Sequence, residues 1–178
     1  NVQNVALMVD GVCRKMQSTF CGAAALSSMK VLSMHNFTLH TPTKVLFGKD
    51  QVAQLREQIP SDARILITYG GGSVKTTGTL AEVHAALSTQ TVFEFGGIEP
   101  NPAYETLMGA VELARAERVD FLLAVGGGSV LDGTKFIAAA AHYDLAKEPW
   151  HILETVGGEV ASAIPLGVVL TLPATGSE

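Results

Sequence analysis

Short apolar runs alternate with helical runs along the chain from residue 34 onward. Runs rich in β-branched and aromatic residues predict strands at 37–40, 44–47, 64–69, 91–95, 121–125 and 164–170. Between them, apolar residues at helical spacing predict helices at 52–59, 74–87, 104–118, 131–142 and 149–155. This alternation predicts an α/β fold, a Rossmann-like parallel sheet with flanking helices.

The pentapeptide Gly-Gly-Gly-Ser-Val occurs twice, at 70–74 and at 126–130, each time between a predicted strand and a predicted helix. Glycines have no Cβ, so backbone N–H groups there can approach a phosphate at the positive end of the following helix. One such run is equally compatible with a tight strand-to-helix turn, and Ser129 with Asp132 could form an N-terminal capping arrangement. The duplication in equivalent places favours a dinucleotide site with two half-sites.

The charge, the lengths of the apolar runs, the cysteines and the histidines argue against several other kinds of protein. The formal charge is −5 with no cluster of Lys and Arg, which argues against nucleic acid as a partner. No apolar run approaches the roughly 18 residues that a membrane span needs. The two cysteines, Cys13 and Cys21, make neither a disulfide framework nor a CxxC pair, so we expect a cytoplasmic location. The five histidines show no paired metal spacing, and the sequence predicts no metal site in this chain.

The residues next to the glycine runs bear on the choice of cofactor. The turn at 69–75 has no acid to bind an adenosine ribose, and offers Ser73 and Lys75 instead, which favours NADP over NAD. Lys75 could also be a solvated helix charge. Asn101 lies between Pro100 and Pro102, where its side chain could hold a rigid turn or reach a ligand.

Residues 1–33 differ from the rest of the chain, because no strand or helix period in them matches a neighbour. We interpret them as an appendage or leader: a secretory signal, an organelle transit peptide or, preferably, an upstream extension ahead of Met34. Residues 34–178 are predicted to be one nucleotide-binding α/β domain that is truncated at its carboxyl end.

Four motifs together resemble one family: VGGGSVLD at 125–132, GTK at 133–135, EPNP at 99–102 and TGSE at 175–178. The chain resembles the amino-terminal part of the iron-containing, or group III, alcohol dehydrogenases. The two glycine runs and LPATGSE are most similar to the branch of NADPH-dependent, broad-range aldehyde reductases that are described as butanol dehydrogenase-like.

The resemblance implies roles for individual residues. Gly127, Gly128 and Ser129 would form the pyrophosphate loop, and Asp132 would lie near the nicotinamide and substrate, as the catalytic candidate. The remaining cofactor-binding candidates are Gly71, Gly72 and Ser73 at the adenosine-phosphate end, Asn101, Thr171 and Thr175.

The resemblance also implies a reaction. The intact parent would be a metal-dependent NADP(H) oxidoreductase that interconverts aldehydes and primary alcohols, and we expect a homodimer. Its divalent metal, iron or zinc, would be held by a helical half that is absent here, so this fragment alone is expected to be inactive. Two alternatives stay open: a non-catalytic nucleotide-binding module or remnant, and a glycerol dehydrogenase-like enzyme of the same fold.

Overall fold

In the computed structural model, the described residues are 5–9, of which only the backbone is described, together with 43–144, 146–174 and 176–177. They form a parallel sheet with the strand order β2-β1-β6-β5-β3-β4. The strands are β1 Val5–Val9, β2 Lys44–Gly48, β3 Arg64–Tyr69, β4 Thr91–Phe95, β5 Phe121–Gly127 and β6 Leu166–Leu172. The predicted fold class, a Rossmann-like parallel sheet with flanking helices, is confirmed.

The helices connect these strands. A 3₁₀ turn at Gln51–Gln54 is followed by α1 Leu55–Gln58, α2 Ser73–Thr76, α3 Thr79–Ala86, α4 Tyr104–Ala116, α5 Gly128–Ala141 and α6 His151–Glu154. The helix predicted over 74–87 is two helices, because Gly78 takes a left-handed conformation with φ of 84° between them. The helix predicted to begin at residue 131 begins three residues earlier, at Gly128.

The sequence predicts no strand in residues 1–33, but the structure places β1 there. Its backbone pairs in parallel with β2 on one side and with β6 on the other. Five consecutive apolar residues are compatible with a strand buried in a sheet, and this strand became identifiable only through its partners. The strand predicted at 37–40 lies outside the described residues.

Both faces of the central strands β3 and β5 are buried, which explains why these strands are largely apolar. Along β5, Leu122 and Ala124 pack with α4 and α5, while Leu123 and Val125 pack on the opposite face with the first three helices. The carboxyl end of α5 is capped by Arg115 of α4, whose guanidinium donates hydrogen bonds to three backbone carbonyls at 140, 141 and 143. α5 is therefore held both by packing against the sheet and by the hydrogen bonds from Arg115 at its carboxyl end.

Candidate cofactor-binding site

The two glycine runs lie side by side at the carboxyl edge of the sheet. β3 and β5 are neighbours, with Tyr69 opposite Val125, so the runs that follow them begin at the same level. The chain proceeds outward from β3 to β4, then crosses back to β5 and on to β6. The position between β3 and β5 is therefore the topological switch point, where open α/β sheets bind their ligands.

The first glycine of each run differs from the later ones in what surrounds it. A Cβ on Gly126 would lie 2.8 Å from Cγ2 of Val130, and one on Gly70 would lie 3.1 Å from the Ile98 carbonyl oxygen. By contrast, among the described residues, a Cβ on Gly71 or Gly72 would meet no atom within 4 Å, and one on Gly127 would meet only Cβ of Leu172 at 3.9 Å. The first glycine of each run is thus needed for packing, whereas Gly71, Gly72 and Gly127 leave open space at the strand ends. That open space fits a ligand that approaches the backbone.

The start of α5 offers backbone donors at this open space. Its N-cap is Gly127, which has no side chain to cap the helix. Ser129 is the second residue of the helix and not its N-cap, so the capping arrangement with Asp132 does not form. The first N–H groups of this 14-residue helix have no partner within the helix, and its dipole adds partial positive charge. This end of α5 therefore suits an anion such as a diphosphate.

The first run is followed by a much shorter helix. α2 has only four residues, and its N-cap is Gly72, which has φ of 112° and no side chain to cap the helix. Ser73 begins this helix and is exposed, with Lys75 two positions further on. Such a short helix has a smaller dipole, so side chains should contribute more to binding at this run than at the second.

Asp132 is exposed on α5 and interacts with the end of the chain. Its carboxylate lies 3.8 Å from Nζ of Lys135 and accepts a 3.3 Å hydrogen bond from the Ser177 hydroxyl. Lys135 in turn donates to the Ser177 carbonyl. Asp132 is not in the first turn of α5, so a favourable interaction with the helix dipole does not explain why an acidic residue occurs at this position.

A groove of about 500 Å³ opens beside Asp132. Its apolar wall contains Tyr104, which packs edge-on against Phe136 with ring centroids 5.8 Å apart and against Trp150 at 5.3 Å. The groove thus combines the carboxylates of Asp132 and Glu105 with an aromatic wall, a combination that suits a small, largely apolar molecule with a polar end.

The other predicted residues are more dispersed. Asn101 is exposed in the loop after β4, with a left-handed φ of 53°, which agrees with a turn role. That loop is tied to the first glycine run by hydrogen bonds from Gly97 N to the Gly70 carbonyl and from Ile98 N to the Tyr69 carbonyl, both 3.1 Å. Thr171 is half-buried near the end of β6. Thr175 lies outside the described residues.

The sequence analysis missed a polar cluster beside the first run. The Tyr69 hydroxyl donates a 3.0 Å hydrogen bond to Oε2 of Glu94, and Nε2 of His84 lies 2.8 Å from Oε1 of the same carboxylate. Nζ of Lys75 lies 4.8 Å from the centroid of the Tyr69 ring. The signal for this cluster is topological: Tyr69 and Glu94 end adjacent parallel strands, and His84 lies on the helix that connects them.

Among the described residues, no three side chains of the His, Cys, Asp or Glu type lie close enough together to bind a metal ion. The helices in this part of the chain are also too short or too polar to cross a membrane.

Comparison with known proteins gives consistent matches. The family model described as iron-containing alcohol dehydrogenase matches residues 42–178. The chain is 72% identical over 145 residues to the NADPH-dependent aldehyde reductase YqhD of Escherichia coli. The matched region covers 82% of this chain and 38% of that protein.

Solved structures agree with this. The substrate- and cofactor-free form of E. coli YqhD matches with a TM-score of 0.77 and 71% identity, over 79% of this chain and 37% of that one. The NADH-dependent butanol dehydrogenase A of Thermotoga maritima matches with a TM-score of 0.74 and 37% identity, over 80% of this chain and 36% of that one. The chain therefore spans less than two fifths of the length of these relatives.

Proposed function

Because this chain belongs to the iron-containing alcohol dehydrogenase family, we propose that it is the cofactor-binding part of an NADP(H)-dependent oxidoreductase that interconverts aldehydes and primary alcohols. The observation that carries the proposal is the pair of identical glycine runs, which lie side by side at the switch point of the sheet. The named activity of YqhD, an NADPH-dependent aldehyde reductase, supports the cofactor and the substrate class.

The residue roles in this proposal are those that the family resemblance implies. The open backbone at Gly127, together with Gly128 and Ser129 in the first turn of α5, would hold the diphosphate. Gly71, Gly72 and Ser73 would hold the adenosine-phosphate end. Asn101, Thr171 and Thr175 are the further proposed contacts to the cofactor.

Asp132 is the proposed residue nearest the reaction. It lies on α5 one turn beyond the proposed diphosphate loop and beside the aromatic groove, whose apolar wall suits the carbon chain of an aldehyde. The chemistry that a bound nicotinamide supplies is hydride transfer with a carbonyl carbon, while the protein supplies binding, orientation and electrostatics.

The family description supports a divalent metal in the intact parent, which would polarise the carbonyl oxygen. The described residues here do not form such a site, so its ligands would come from elsewhere in the parent. Metal analysis of the intact protein would distinguish iron from zinc. A homodimer and a cytoplasmic location are further parts of this proposal.

The proposal is tested by Gly127→Ala. The new methyl group finds room within the fold, yet it occupies the space proposed for the diphosphate. We expect NADPH affinity, measured by nucleotide fluorescence, to fall about tenfold or more, because the methyl group would keep the diphosphate away from the backbone N–H groups. A tenfold loss corresponds to about 1.4 kcal/mol of binding free energy.

Gly109→Ala on α4 is the matched control. Its Cβ would meet only the Phe95 ring, at an ordinary contact distance of 3.6 Å, so NADPH affinity should not change. Unchanged NADPH affinity in Gly127→Ala would contradict the placement of the diphosphate at the second run.

A further inference from the structure

Glu94 occupies a position that should matter for cofactor choice. In dinucleotide-binding sheets, an acid about 20 residues beyond the first glycine turn hydrogen-bonds the ribose 2′-hydroxyl of NAD, and its charge repels the 2′-phosphate of NADP. Glu94 is the penultimate residue of β4, the strand that follows the first glycine run, and it is exposed. A free carboxylate there would favour NADH.

The structure shows that this carboxylate is not free. One oxygen accepts the hydrogen bond from the Tyr69 hydroxyl at 3.0 Å, and the other lies 2.8 Å from the His84 imidazole. Both oxygens are therefore engaged by protein groups, which reduces their capacity to bind a ribose hydroxyl.

Tyr69 itself is held firmly. The residue is only 7% exposed, and the chain passes so close at Gly96 that a Cβ there would lie 2.3 Å from the ring. The backbone carbonyl of Tyr69 also accepts the hydrogen bond from Ile98 N. The hydroxyl is therefore fixed in the direction of Glu94.

The same ring supports a cation. Nζ of Lys75 lies 4.8 Å from the Tyr69 ring centroid, within the range of a cation–π contact. Tyr69, and to a smaller extent the charge of Glu94, raise the pKa of the Lys75 ammonium, which stays charged at neutral pH. Lys75 follows the open backbone of Gly71 and Gly72 by a few residues, so a charged group bound there would meet a cation.

We propose that Tyr69 and His84 hold the Glu94 carboxylate away from the adenosine ribose, leaving Lys75 as the charge that faces it, and that this cluster sets a preference for NADPH over NADH. The inference rests on the proposed function, since it assigns the adenosine end of the dinucleotide to the first glycine run. The matched relatives include both an NADPH-dependent and an NADH-dependent enzyme, so family membership alone does not decide the preference.

The test measures dissociation constants for NADPH and for NADH by nucleotide fluorescence, in the longest form of the protein that its gene encodes. Lys75→Met should weaken NADPH about tenfold and leave NADH within about twofold, because only NADPH carries the 2′-phosphate. Lys49→Met, an exposed lysine that follows the edge strand β2 at the other side of the sheet, is the matched control and should change neither.

Tyr69→Phe keeps the ring under Lys75 but releases one oxygen of Glu94. We expect the NADPH preference to fall about threefold to tenfold. Adding Glu94→Gln to Tyr69→Phe should restore the preference, since the released group no longer carries a charge. Damage to the fold would not be repaired by this second substitution.

Two results would overturn the inference in different ways. If both nucleotides bind and the preference stays within twofold of the unchanged protein in Lys75→Met and Tyr69→Phe, the cluster does not set the preference, and the proposed function stands. If neither nucleotide binds the unchanged protein, the proposed function fails and the inference fails with it.

Discussion

Replacing the threonines of the buried Thr68–Thr134 pair tests how the two glycine runs are held together. Thr68 lies on β3 just before the first run, and Thr134 lies on α5 just after the second. Both are fully buried, and their hydroxyl oxygens are 2.6 Å apart. The Thr134 hydroxyl donates its single proton to the Val130 carbonyl at 2.7 Å. Thr68 must therefore donate to Thr134, which makes the pair asymmetric.

The asymmetry gives different costs for the two valine substitutions. Thr134→Val removes the acceptor and leaves the buried Thr68 hydroxyl without a partner, which costs about 1–3 kcal/mol. Thr68→Val removes only a donor, while Thr134 keeps its bond to Val130, so the loss is about 0.5–1.5 kcal/mol. The double variant replaces both partners by apolar groups of similar shape and should lie close to the unchanged protein.

Urea unfolding followed by far-ultraviolet circular dichroism measures these differences as shifts in midpoint at constant slope. The double-mutant cycle should give a coupling free energy of at least about 0.5 kcal/mol, as is usual for residues in contact. The reasoning is refuted if Thr134→Val costs no more than Thr68→Val, or if the two single effects simply add.

Two further predictions concern the loop after β4. Gly96→Ala should destabilise the fold by about 1–3 kcal/mol in the same unfolding assay, because its Cβ would overlap the buried Tyr69 ring; an unchanged midpoint would contradict this. Hydrogen bonds from its own amide, the Ala103 amide and the Thr106 hydroxyl lower the pKa of Glu99. The stability that this ionised carboxylate adds is present above its unfolded pKa and is lost as pH falls through its lower folded pKa. When the pH is lowered from about 5 to about 3, the free energy of unfolding should therefore fall less in Glu99→Gln than in the unchanged protein, as measured by urea unfolding.

The sheet could be predicted from the sequence because its strands are short runs of apolar, aromatic and β-branched residues bounded by turn residues. β3 and β4 were predicted with their observed bounds, Arg64–Tyr69 and Thr91–Phe95. Each is a short run of apolar and β-branched residues that ends in glycines. The order of the strands was not predictable in this way, because it depends on which strands pair.

Features that depend on pairing or on a single backbone conformation were missed. β1 gains its identity from β2 and β6, which lie far away in sequence. The break between α2 and α3 depends on the left-handed conformation of Gly78, whereas the apolar period continues through it. Glu94 was missed as well, because its place beside the first glycine run depends on the pairing of β4 with β3.

The two glycine runs are identical in sequence but not in surroundings, and this difference suggests how they divide the binding of a dinucleotide. The second run begins the 14-residue α5, whose uncapped N–H groups and dipole suit phosphate of any nucleotide. The first run begins the four-residue α2, which contributes little dipole but lies beside Lys75 and the engaged Glu94 carboxylate. We therefore expect substitutions at the second run to weaken NADPH and NADH alike, and substitutions beside the first run to change the ratio between them. The same pentapeptide would then supply affinity at one strand end and selectivity at the other.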